Sequence, residues 1–542
     1  MVVAGLLLLI LLLILFGQPL FVIIGAVTGY CFLFMGNGGL SNIIGDLYYG
    51  ADKEILLAIP LFILAGNLMT HGSIARRLID VGRSVTAPIP SGLAVAGVIS
   101  CGIFAAISGS SPVTLIAIGG VMYPALRQAG YNQNFSMGIL AAGGTLGIII
   151  PPSIPMIIYA IMVGVSVIDL FLAGIGPGLL LLTALVIYSV FRGWKMERGK
   201  WVMADILKSL KSGILALLMP VIILGGIYTG WFTATESAAI AVIYAVFVEI
   251  LIHRELSLKK LPAIFSESAE MLGTLFLILL LAVSLNKFMT EEQIPQALVE
   301  KMSALISNKV GFLIGVNILL LIVGMFMDIM SAILVLAPLL APMAIHYGIN
   351  PIHFGIIMIV NLEIGYLTPP VGVNLFVASS IFKVPLGQVI KAVAPIVLVF
   401  LVCLGIITSI PEIALFPLKN AGEKQKTTLS SQPAAKTEQG KQLTEEQQVF
   451  VGKWKSASGT LEITDDGIAR LAPPIGGVGS KYLPKMAEAT LEIEGLKSIT
   501  VKSGETVKTF KVVKAPKTKG EKTTMTLDKV VYTKETTAEE EP

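Results

Sequence analysis

The chain has 542 residues, of which 55% are hydrophobic and only 14% are charged, and its mean hydropathy is +0.83. This composition excludes an ordinary soluble globular protein and indicates a polytopic protein of the lipid bilayer. The net charge of +4 does not point to a nucleic-acid partner, and we expect none. Three cysteines in apolar segments predict no disulfide framework. Four scattered histidines predict no transition-metal site, and two of them, His346 and His353, are expected at a membrane surface.

Apolar segments of membrane-spanning length follow one another through the first ~415 residues. The first is interpreted as a retained spanning helix, because it lacks the basic start and the small-residue cleavage site of a signal peptide. Two segments in each half are too long for one crossing, which needs ~20 residues. The segments run roughly over 3–16, 19–36, 54–70, 92–126, 135–163, 170–191, 213–230, 236–252, 269–287, 311–345, 352–381 and 388–411.

Gly, Pro and short polar residues interrupt each of the four long segments. A break within ~35 apolar residues predicts a helical hairpin that returns to the side from which it entered. A break within ~28 residues predicts a crossing helix that is split in two. The interruptions are Ser108 to Pro112, Gly143 to Pro152, the neighbourhood of Asp328, and Leu367 to Pro370.

The Gly and Pro residues of the two halves match at an offset of 218 residues, so that GIIIPP at 147–152 corresponds to GYLTPP at 365–370. Gly and Pro are costly inside membrane helices, so their matched positions predict an internal repeat whose broken helices form the binding site. We place the two copies at about 1–192 and 205–412. The same offset pairs Gly97 with Gly315, Pro124 with Pro342, Gly130 with Gly348, Asn132 with Asn350 and Pro177 with Pro395.

The basic residues predict the orientation of the chain. When hairpins count as no crossing, the basic clusters all fall on one face, which the positive-inside rule makes cytoplasmic. The loop 288–310, which carries three glutamates, falls on the outer face. Five crossings per half then make the two copies inverted. The basic residues concerned are Arg76, Arg77, Arg83, Arg127, Arg192, Lys195, Arg198, Lys200, Arg254, Lys259 and Lys260.

The composition becomes polar near the end of the last apolar segment. We assign a membrane domain to 1–412, a linker to 413–446 and a soluble extramembrane module to 447–542. Short runs such as TLEITDDG and TFKVVK alternate apolar and polar residues and predict antiparallel strands. The predicted fold is therefore an all-α polytopic membrane protein with inverted repeats, re-entrant hairpins and broken helices, followed by a small C-terminal β domain that the crossing count places outside the cytoplasm.

The interruptions supply the candidate binding residues. Unpaired backbone groups are costly inside hydrocarbon, so broken helices persist where a bound ion or substrate satisfies them. Cages of carbonyls and hydroxyls suit sodium, and half-helix N-termini favour an anion. The alternative is that these stretches are ordinary loops at a membrane surface. The candidate sodium and substrate ligands are Ser108, Gly109, Ser110, Ser111, Gly143, Gly144, Thr145, Pro151, Asp328, Ser331, Glu363, Gly365, Thr368, Pro369, Gly372 and Asn374.

Acidic residues within apolar segments are costly and indicate function. Asp328 and Glu363 are expected to be the only ones well inside the core of the second half. Glu363 has two interpretations: it holds the unwound backbone, or it contacts a cation directly. Glu236 is assigned a structural role in the first turn of a helix that Thr235 caps.

Several separate motifs in the same order resemble the large membrane subunit of tripartite ATP-independent periplasmic (TRAP) transporters. They cover about residues 1–412 and are IPLFILAGNLM at 59–69, SGSSP, GIIIPPS, GGIYTGWFTATESAAIAVIYA at 225–245, APLLAP after Asp328, and NLEIGYLTPPVGVNLFVA at 361–378.

This resemblance implies a sodium-driven importer of organic acids, such as a C4-dicarboxylate or sialic acid, in a bacterial inner membrane. It implies an elevator movement and two partners, a small four-helix membrane subunit and a periplasmic substrate-binding protein. Because the chain starts at the large subunit's first helix, we expect the small subunit to be a separate chain. The predicted β module departs from the usual pattern of the family.

Other classes of function have less support. A stand-alone carrier without a binding protein is the alternative within transport. No ATP-binding GxxxxGK[ST] run occurs in the polar stretches. An enzyme would need a nucleophile–base set or a metal cluster, and neither is visible in the sequence. A channel would need continuous polar stripes along a pore, against which the broken half-helices argue.

Overall fold

The computed structural model describes residues 2–35, 41–196, 198–306 and 308–418, together with eight strands between 452 and 534. The chain forms two compact units, Met1–Glu423 and Lys424–Pro542. The described part of the first unit is helical, as the apolar segments predict. The predicted linker begins within a helical stretch at 412–418, and its remainder, 419–446, lies outside the described residues.

The helices of the first unit pack around one continuous apolar core. In the first half they are α1 (Val2–Leu15), α2 (Leu20–Phe34), α3 (Ser41–Ala51), α4 (Ala58–His71), α5 (Ile74–Thr86), α6 (Gly92–Ser108), α7 (Ser111–Thr114), α8 (Gly120–Gln128), α9 (Gln133–Ile149), α10 (Ile154–Val163) and α11 (Val167–Arg192). A 3-10 turn at Glu54–Leu57 precedes α4, and a π turn at Leu115–Gly119 joins α7 to α8.

Among its described residues, the second half contains nine further α-helices. They are α12 (Met203–Tyr228), α13 (Ala234–Val246), α14 (Leu261–Glu291), α15 (Ile294–Leu305), α16 (Lys309–Phe326), α17 (Ile329–His346), α18 (Pro351–Tyr366), α19 (Val373–Phe382) and α20 (Leu386–Ser409). A π stretch at Phe247–Ile252 extends α13, and a 3-10 turn at Leu258–Lys260 precedes α14.

Within the described residues, nine helical stretches are long and apolar enough to cross a membrane. The first helix is not one of them. Helix α1 has 14 residues, a length of about 21 Å against the ~30 Å of a hydrocarbon core. It folds back on α2, whose Tyr30 hydroxyl donates to the Val2 carbonyl at 3.0 Å. The prediction that 3–16 forms a single crossing is therefore not supported by the length of this helix.

Both predicted hairpins are present as antiparallel helix pairs. In the first, α6 turns at Gly109 and Ser110 into α7, and Gly97 of the outgoing arm lies against Met122 of the returning arm. In the second, α16 turns at Met327 and Asp328 into α17, and the rings of Phe312 and Tyr347 stack with their centroids 4.7 Å apart. The structure thus confirms breaks at SGSSP and near Asp328.

The two broken helices are also present, but the first breaks later than predicted. Helix α9 continues through Gly143 and Gly144, and the interruption covers only 150–153. A Cβ at Gly143 would lie 3.0 Å from the Sγ of Cys101, and one at Gly144 only 2.8 Å from the Cβ of Leu115. These glycines therefore permit close helix packing, and the helical hydrogen bonds of α9 satisfy the backbone in the apolar core.

The second broken helix runs as α18 up to Tyr366 and resumes as α19 at Val373. The unwound part is therefore 367–372, shorter than the NLEIGYLTPPVGVN stretch that the sequence suggested.

Residues that match at the offset of 218 also have matching local conformations. Gly130 and Gly348, which are 218 residues apart, both have left-handed φ angles, +81° and +70°. Asn132 and Asn350 both cap the next helix with their side chains. The inverted relation of the two halves stays a prediction.

Helix α13 begins with a capping box in which Thr233, rather than the predicted Thr235, is the N-cap residue. The Thr233 hydroxyl accepts from the Glu236 amide, and the Glu236 carboxylate accepts from the Thr233 amide at 2.8 Å. Thr235 instead donates its hydroxyl to the carbonyl of Glu54 at 3.2 Å. The first-turn position expected for Glu236 is confirmed.

In the second unit, eight strands pair with their sequence neighbours in an antiparallel closed barrel, with β1 next to β8. The strands are β1 (Gly452–Ser456), β2 (Gly459–Ile463), β3 (Ile468–Ala472), β4 (Ala489–Glu494), β5 (Ser498–Ser503), β6 (Thr506–Lys519), β7 (Lys522–Leu527) and β8 (Val530–Lys534). The assignment of an independent soluble module behind a linker stays a prediction, because the connecting residues lie outside the described part of the chain.

Candidate functional site

The first hairpin meets the second broken helix in a buried polar cluster. Ser111, at the start of α7, donates its hydroxyl to Oε1 of Glu363 in α18 at 2.7 Å. Asn374, in the first turn of α19, donates its amide to the Ser111 oxygen at 2.5 Å and to Oε1 of Glu363 at 3.1 Å. Each of the three side chains is at most 1% exposed. The cluster therefore joins both halves of the unit in the apolar core.

Two oxygens of this cluster have no hydrogen-bond partner among the described residues. They are Oε2 of Glu363 and Oδ1 of Asn374. An unsatisfied buried acceptor costs ~1–3 kcal/mol, and more when the group is charged. Oxygen ligands of this kind suit a hard cation. The residues present therefore fit a sodium ion.

The tip of the first hairpin is held by its own hydroxyl groups. The hydroxyls of Ser108 and Thr114 lie 2.7 Å apart, and Thr114 also contacts the Ser110 carbonyl at 2.9 Å. Gly109 has a left-handed φ of +59°, and its carbonyl accepts from the amide of Ile154 at 3.4 Å. The tip is thereby attached to the start of α10, directly after the Pro151–Pro152 pair.

The tip of the second hairpin is attached in the same way. The carbonyl of Met325 accepts from the amides of Val371 and Gly372, both at 3.2 Å, directly after the Pro369–Pro370 pair. Asp328 is exposed and caps α17, where it accepts from the amide of Ser331 at 3.0 Å. Sequence reasoning placed Asp328 within an apolar segment and at the tip of the second hairpin; the structure confirms the position at the tip and shows the side chain exposed at a helix N-terminus.

Gly147 and Gly365, matched in the repeat, each allow a hairpin to approach its own broken helix. A Cβ at Gly147 would lie 2.4 Å from the carbonyl oxygen of Ser110. A Cβ at Gly365 would lie 2.5 Å from the carbonyl carbon of Gly324. Both contacts are with backbone, which cannot turn away as a side chain could. The repeated glycines are therefore explained by hairpin packing.

The remaining predicted ligands differ in their surroundings. Thr145 in α9 donates its hydroxyl to the carbonyl of Ala142 at 2.6 Å, and Thr368 in the second break donates its hydroxyl to the carbonyl of Ile364 in α18 at 2.8 Å. Gly143 and Gly144 are helical, while Pro151, Pro369 and Gly372 lie in the breaks. Their roles in binding an ion or substrate stay predictions.

Sequence reasoning missed Glu249. This residue lies in the π stretch that extends α13, and its side chain is fully buried. Its Oε1 accepts from the amides of Ser73 and Ile74, both at 2.8 Å, at the start of α5. Asp328 and Glu363 are therefore not the only acidic residues to consider in the second half. A lone glutamate in the apolar run VFVEILI was the available indication.

The two histidines expected at a membrane surface have different environments. His346 is exposed at the end of α17, and its position at a membrane surface stays a prediction. His353 is buried instead, and its Nε2 lies 2.9 Å from the carbonyl of Ile407 in α20. The imidazole joins two helices because it can hydrogen-bond a carbonyl that lies within the core.

The family of this chain is evident from comparison with known proteins. The family described as "Tripartite ATP-independent periplasmic transporter, DctM component" matches residues 7–413. The C4-dicarboxylate TRAP transporter large permease protein DctM of Pseudomonas aeruginosa is 45% identical over 372 residues, 68% of this chain and 87% of that protein. The isethionate TRAP transporter permease protein DctMQ of Oleidesulfovibrio alaskensis is 38% identical over 404 residues, 74% of this chain and 64% of that protein.

Among solved structures, the YdaH transporter of Alcanivorax borkumensis is similar in fold. The TM-score is 0.52 at 12% sequence identity, over 74% of this chain and 97% of that one. At this identity the likeness concerns the fold alone.

Proposed function

The chain belongs to the DctM component family of TRAP transporters, and from this we propose that it is a sodium-coupled importer of an organic acid. The observation that carries the proposal is the buried cluster of Ser111, Glu363 and Asn374 with its two unpartnered oxygens. A sodium ion bound there supplies the positive charge that this carboxylate lacks in the apolar core.

The position of the cluster gives a physical basis for coupling. Ser111 belongs to the first hairpin, whereas Glu363 and Asn374 belong to the second broken helix. An ion whose binding requires all three side chains stabilises the arrangement in which the hairpin is docked on the broken helix. A hairpin that moved away would leave Glu363 without its Ser111 donor. Ion binding thus favours one conformation of the site.

The substrate is proposed to be an anion held by backbone dipoles. Helices α10 and α19 each begin just after a Pro–Pro pair, so their N-terminal amides lie at the two breaks. Such N-termini carry partial positive charge. The four broken-helix segments contain no Lys or Arg that would otherwise neutralise a carboxylate. The relatives are named for C4-dicarboxylate and isethionate, both anions.

The energetic source is the sodium gradient together with the membrane potential. Each charge that moves through 100 mV contributes roughly 2.3 kcal/mol. Two sodium ions carried with one monovalent anion would therefore drive accumulation without ATP. We propose that this occurs by an elevator movement in a bacterial inner membrane.

The proposed partners are a small four-helix membrane subunit and a periplasmic protein that delivers the substrate. We place the C-terminal unit on the periplasmic side, where it has an accessory role. A stand-alone carrier is the second candidate. Uptake into proteoliposomes with and without a binding protein separates the two.

The proposal is tested by uptake of a radiolabelled organic acid into proteoliposomes that contain the complete system. We expect uptake to stop when sodium is replaced by potassium at constant ionic strength. A sodium gradient should drive accumulation when no proton gradient is present. Undiminished uptake under a proton gradient alone, with sodium absent, would contradict the proposal.

A further inference from the structure

A cavity lies between α5 and α12, far in sequence from the broken helices. The two helices are in close contact on one side, where a Cβ at Gly213 would lie 2.6 Å from the Cγ2 of Val81. The hydroxyls of Ser84 and Ser209 lie 2.6 Å apart, close enough to hydrogen-bond. Beyond this contact the surfaces separate and leave a cavity of about 530 Å³.

Polar and apolar surface contribute about equally to the walls of the cavity, and the charged side chains that line it are more often positive than negative. Three basic side chains line it, Arg83, Lys200 and Lys208, against the two carboxylates of Asp80 and Asp205. Within the described part of the chain, none of these five has an oppositely charged partner within 4.0 Å. The three cations therefore retain their capacity to bind an anion. The segment 192–211 has six basic and two acidic residues, a net charge of +4, and it supplies the lining residues Gly199, Lys200, Val202, Asp205, Lys208 and Ser209.

Exposed aromatic and apolar side chains lie in the segment that follows α11, close in sequence to Gly199, Lys200 and Val202, which line the cavity. Trp194 is 60% exposed and Trp201 is 66% exposed, next to the exposed Met203. The ring nitrogen of Trp201 donates to the Val85 carbonyl at 2.8 Å, which fixes the segment to the end of α5. Exposed Trp beside basic residues is typical of a membrane–water interface.

Helix α5 has the character of an interfacial helix. Its charged residues Arg76, Asp80 and Arg83 are exposed, while Leu78 and Ile79 are buried. The basic residues of this region are those that predict the cytoplasmic face. Basic pockets between membrane helices on that side bind anionic lipid head groups.

We propose that the cavity between α5 and α12 is a binding site for the head group of an anionic phospholipid of the inner leaflet. Arg83, Lys200 and Lys208 would contact the phosphate, and Ser84 and Ser209 offer hydroxyls to the glycerol part. The exposed apolar side chains of the segment that follows α11 would cover the acyl chains. The bound lipid bridges α5 and α12, so it strengthens their contact. This site is independent of the sodium and substrate site proposed above.

The test uses the full-length chain in nanodiscs, with Trp201 as its only tryptophan (Trp194→Phe, Trp231→Phe and Trp454→Phe). The bilayer is phosphatidylcholine with a small fixed fraction of lipid brominated near the ester bonds. That lipid is either phosphatidylglycerol or phosphatidylcholine. Bromine quenches tryptophan only at contact, so the ratio of quenching by the two lipids reports the preference for the anionic one.

We expect brominated phosphatidylglycerol to quench Trp201 severalfold more than brominated phosphatidylcholine. Lys208→Gln should lower this preference in part, and the triple variant Arg83→Gln, Lys200→Gln, Lys208→Gln should abolish it. The matched control Lys195→Gln, Lys259→Gln, Lys260→Gln removes three exposed charges of the same face outside the cavity and should retain the preference. High salt should weaken the preference in the parent chain.

Three results would overturn the proposal. Equal quenching by the two lipids in the parent chain would mean that the cavity does not select an anionic head group. If the control triple variant lost as much of the preference for phosphatidylglycerol as the cavity triple variant, the whole basic face would attract anionic lipid without a specific site. Displacement of brominated phosphatidylglycerol by excess glycerol 3-phosphate or inorganic phosphate would show that the site takes a soluble phosphate.

Discussion

Ser111 donates a hydrogen bond to Glu363 at 2.7 Å, although 252 residues separate them along the chain. The contact connects the tip of the first hairpin to the second broken helix and leaves Oε2 of Glu363 unpartnered. The sequence left two interpretations of Glu363 open, and the structure is compatible with both. The carboxylate supports the start of α19 through Asn374, and it also retains one oxygen for a cation.

Replacement of Glu363 by Gln is expected to separate these interpretations. Glutamine keeps the shape and one acceptor oxygen but removes the charge that would bind sodium. If Glu363 contacts the ion, the half-saturating sodium concentration for uptake should rise at least about tenfold, equivalent to ~1.4 kcal/mol. Thermal unfolding should change little. The control Glu292→Gln removes an exposed carboxylate and should leave sodium dependence unchanged. Unchanged sodium dependence in Glu363→Gln would leave only the supporting role.

Asp328 provides a second test, because its charge and its capping role can be separated. Asp328→Ala removes both and is expected to stop transport while the protein stays in the membrane. Asp328→Asn keeps a good N-cap for α17, and the loss of a cap costs ~1 kcal/mol. If the charge contributes to ion or substrate binding, the Asn variant should also be inactive in uptake assays. Normal uptake by both variants would remove Asp328 from the candidate site.

Glu249 is expected to be important for stability. Glu249→Ala leaves two buried amides at the start of α5 unpaired, at ~1–3 kcal/mol each. Glu249→Gln keeps one carbonyl oxygen and should destabilise less. Glu236→Ala, at an exposed capping box, should cost ~1 kcal/mol. We expect thermal unfolding of the purified variants to show the largest loss of stability for Glu249→Ala and smaller losses for Glu249→Gln and Glu236→Ala. A Glu249→Ala protein as stable as the parent would show that this contact contributes little.

Gly147 and Gly365, whose Cβ positions face hairpin backbone, should tolerate no side chain. Gly147→Ala and Gly365→Ala place a methyl group about 2.4–2.5 Å from backbone atoms, so the hairpins must shift. Overpacking of this kind costs ~1–3 kcal/mol. Gly315→Ala is the control, because nothing lies within 4 Å of its Cβ position in α16. We expect lower thermal stability and lower uptake in the first two variants and neither effect in the third. An effect of equal size at Gly315 would contradict the packing explanation.

The C-terminal unit is expected to be dispensable for the transport cycle. Among the described residues, the buried cluster of Ser111, Glu363 and Asn374 consists of side chains of the first unit. A chain that ends after about Lys419 should retain sodium-coupled uptake when the binding protein is saturating. If the unit assists docking, the half-saturating concentration of the binding protein should rise in the shorter chain. Loss of uptake at saturation, with normal membrane levels, would refute an accessory role.

The sequence alone determined the apolar segments, the interruptions and the offset of 218 residues between the halves. Those features follow from local physics. Gly and Pro restrict or break helices wherever they occur, and apolar length sets what can cross a bilayer. The breaks at Ser108–Pro112 and at Leu367–Pro370 were therefore predictable, as was the first-turn position of Glu236.

Only the tertiary structure decided what those residues do. Whether Gly143 and Gly144 unwind or stay helical depends on Cys101 and Leu115, which lie on other elements. The exposure of Asp328 and the burial of Glu249 likewise depend on which helices cover them. The Ser111–Glu363 contact joins residues whose distance apart no local pattern encodes. Burial and hydrogen bonding between remote segments are properties of the packed chain, and periodicity and composition do not contain them.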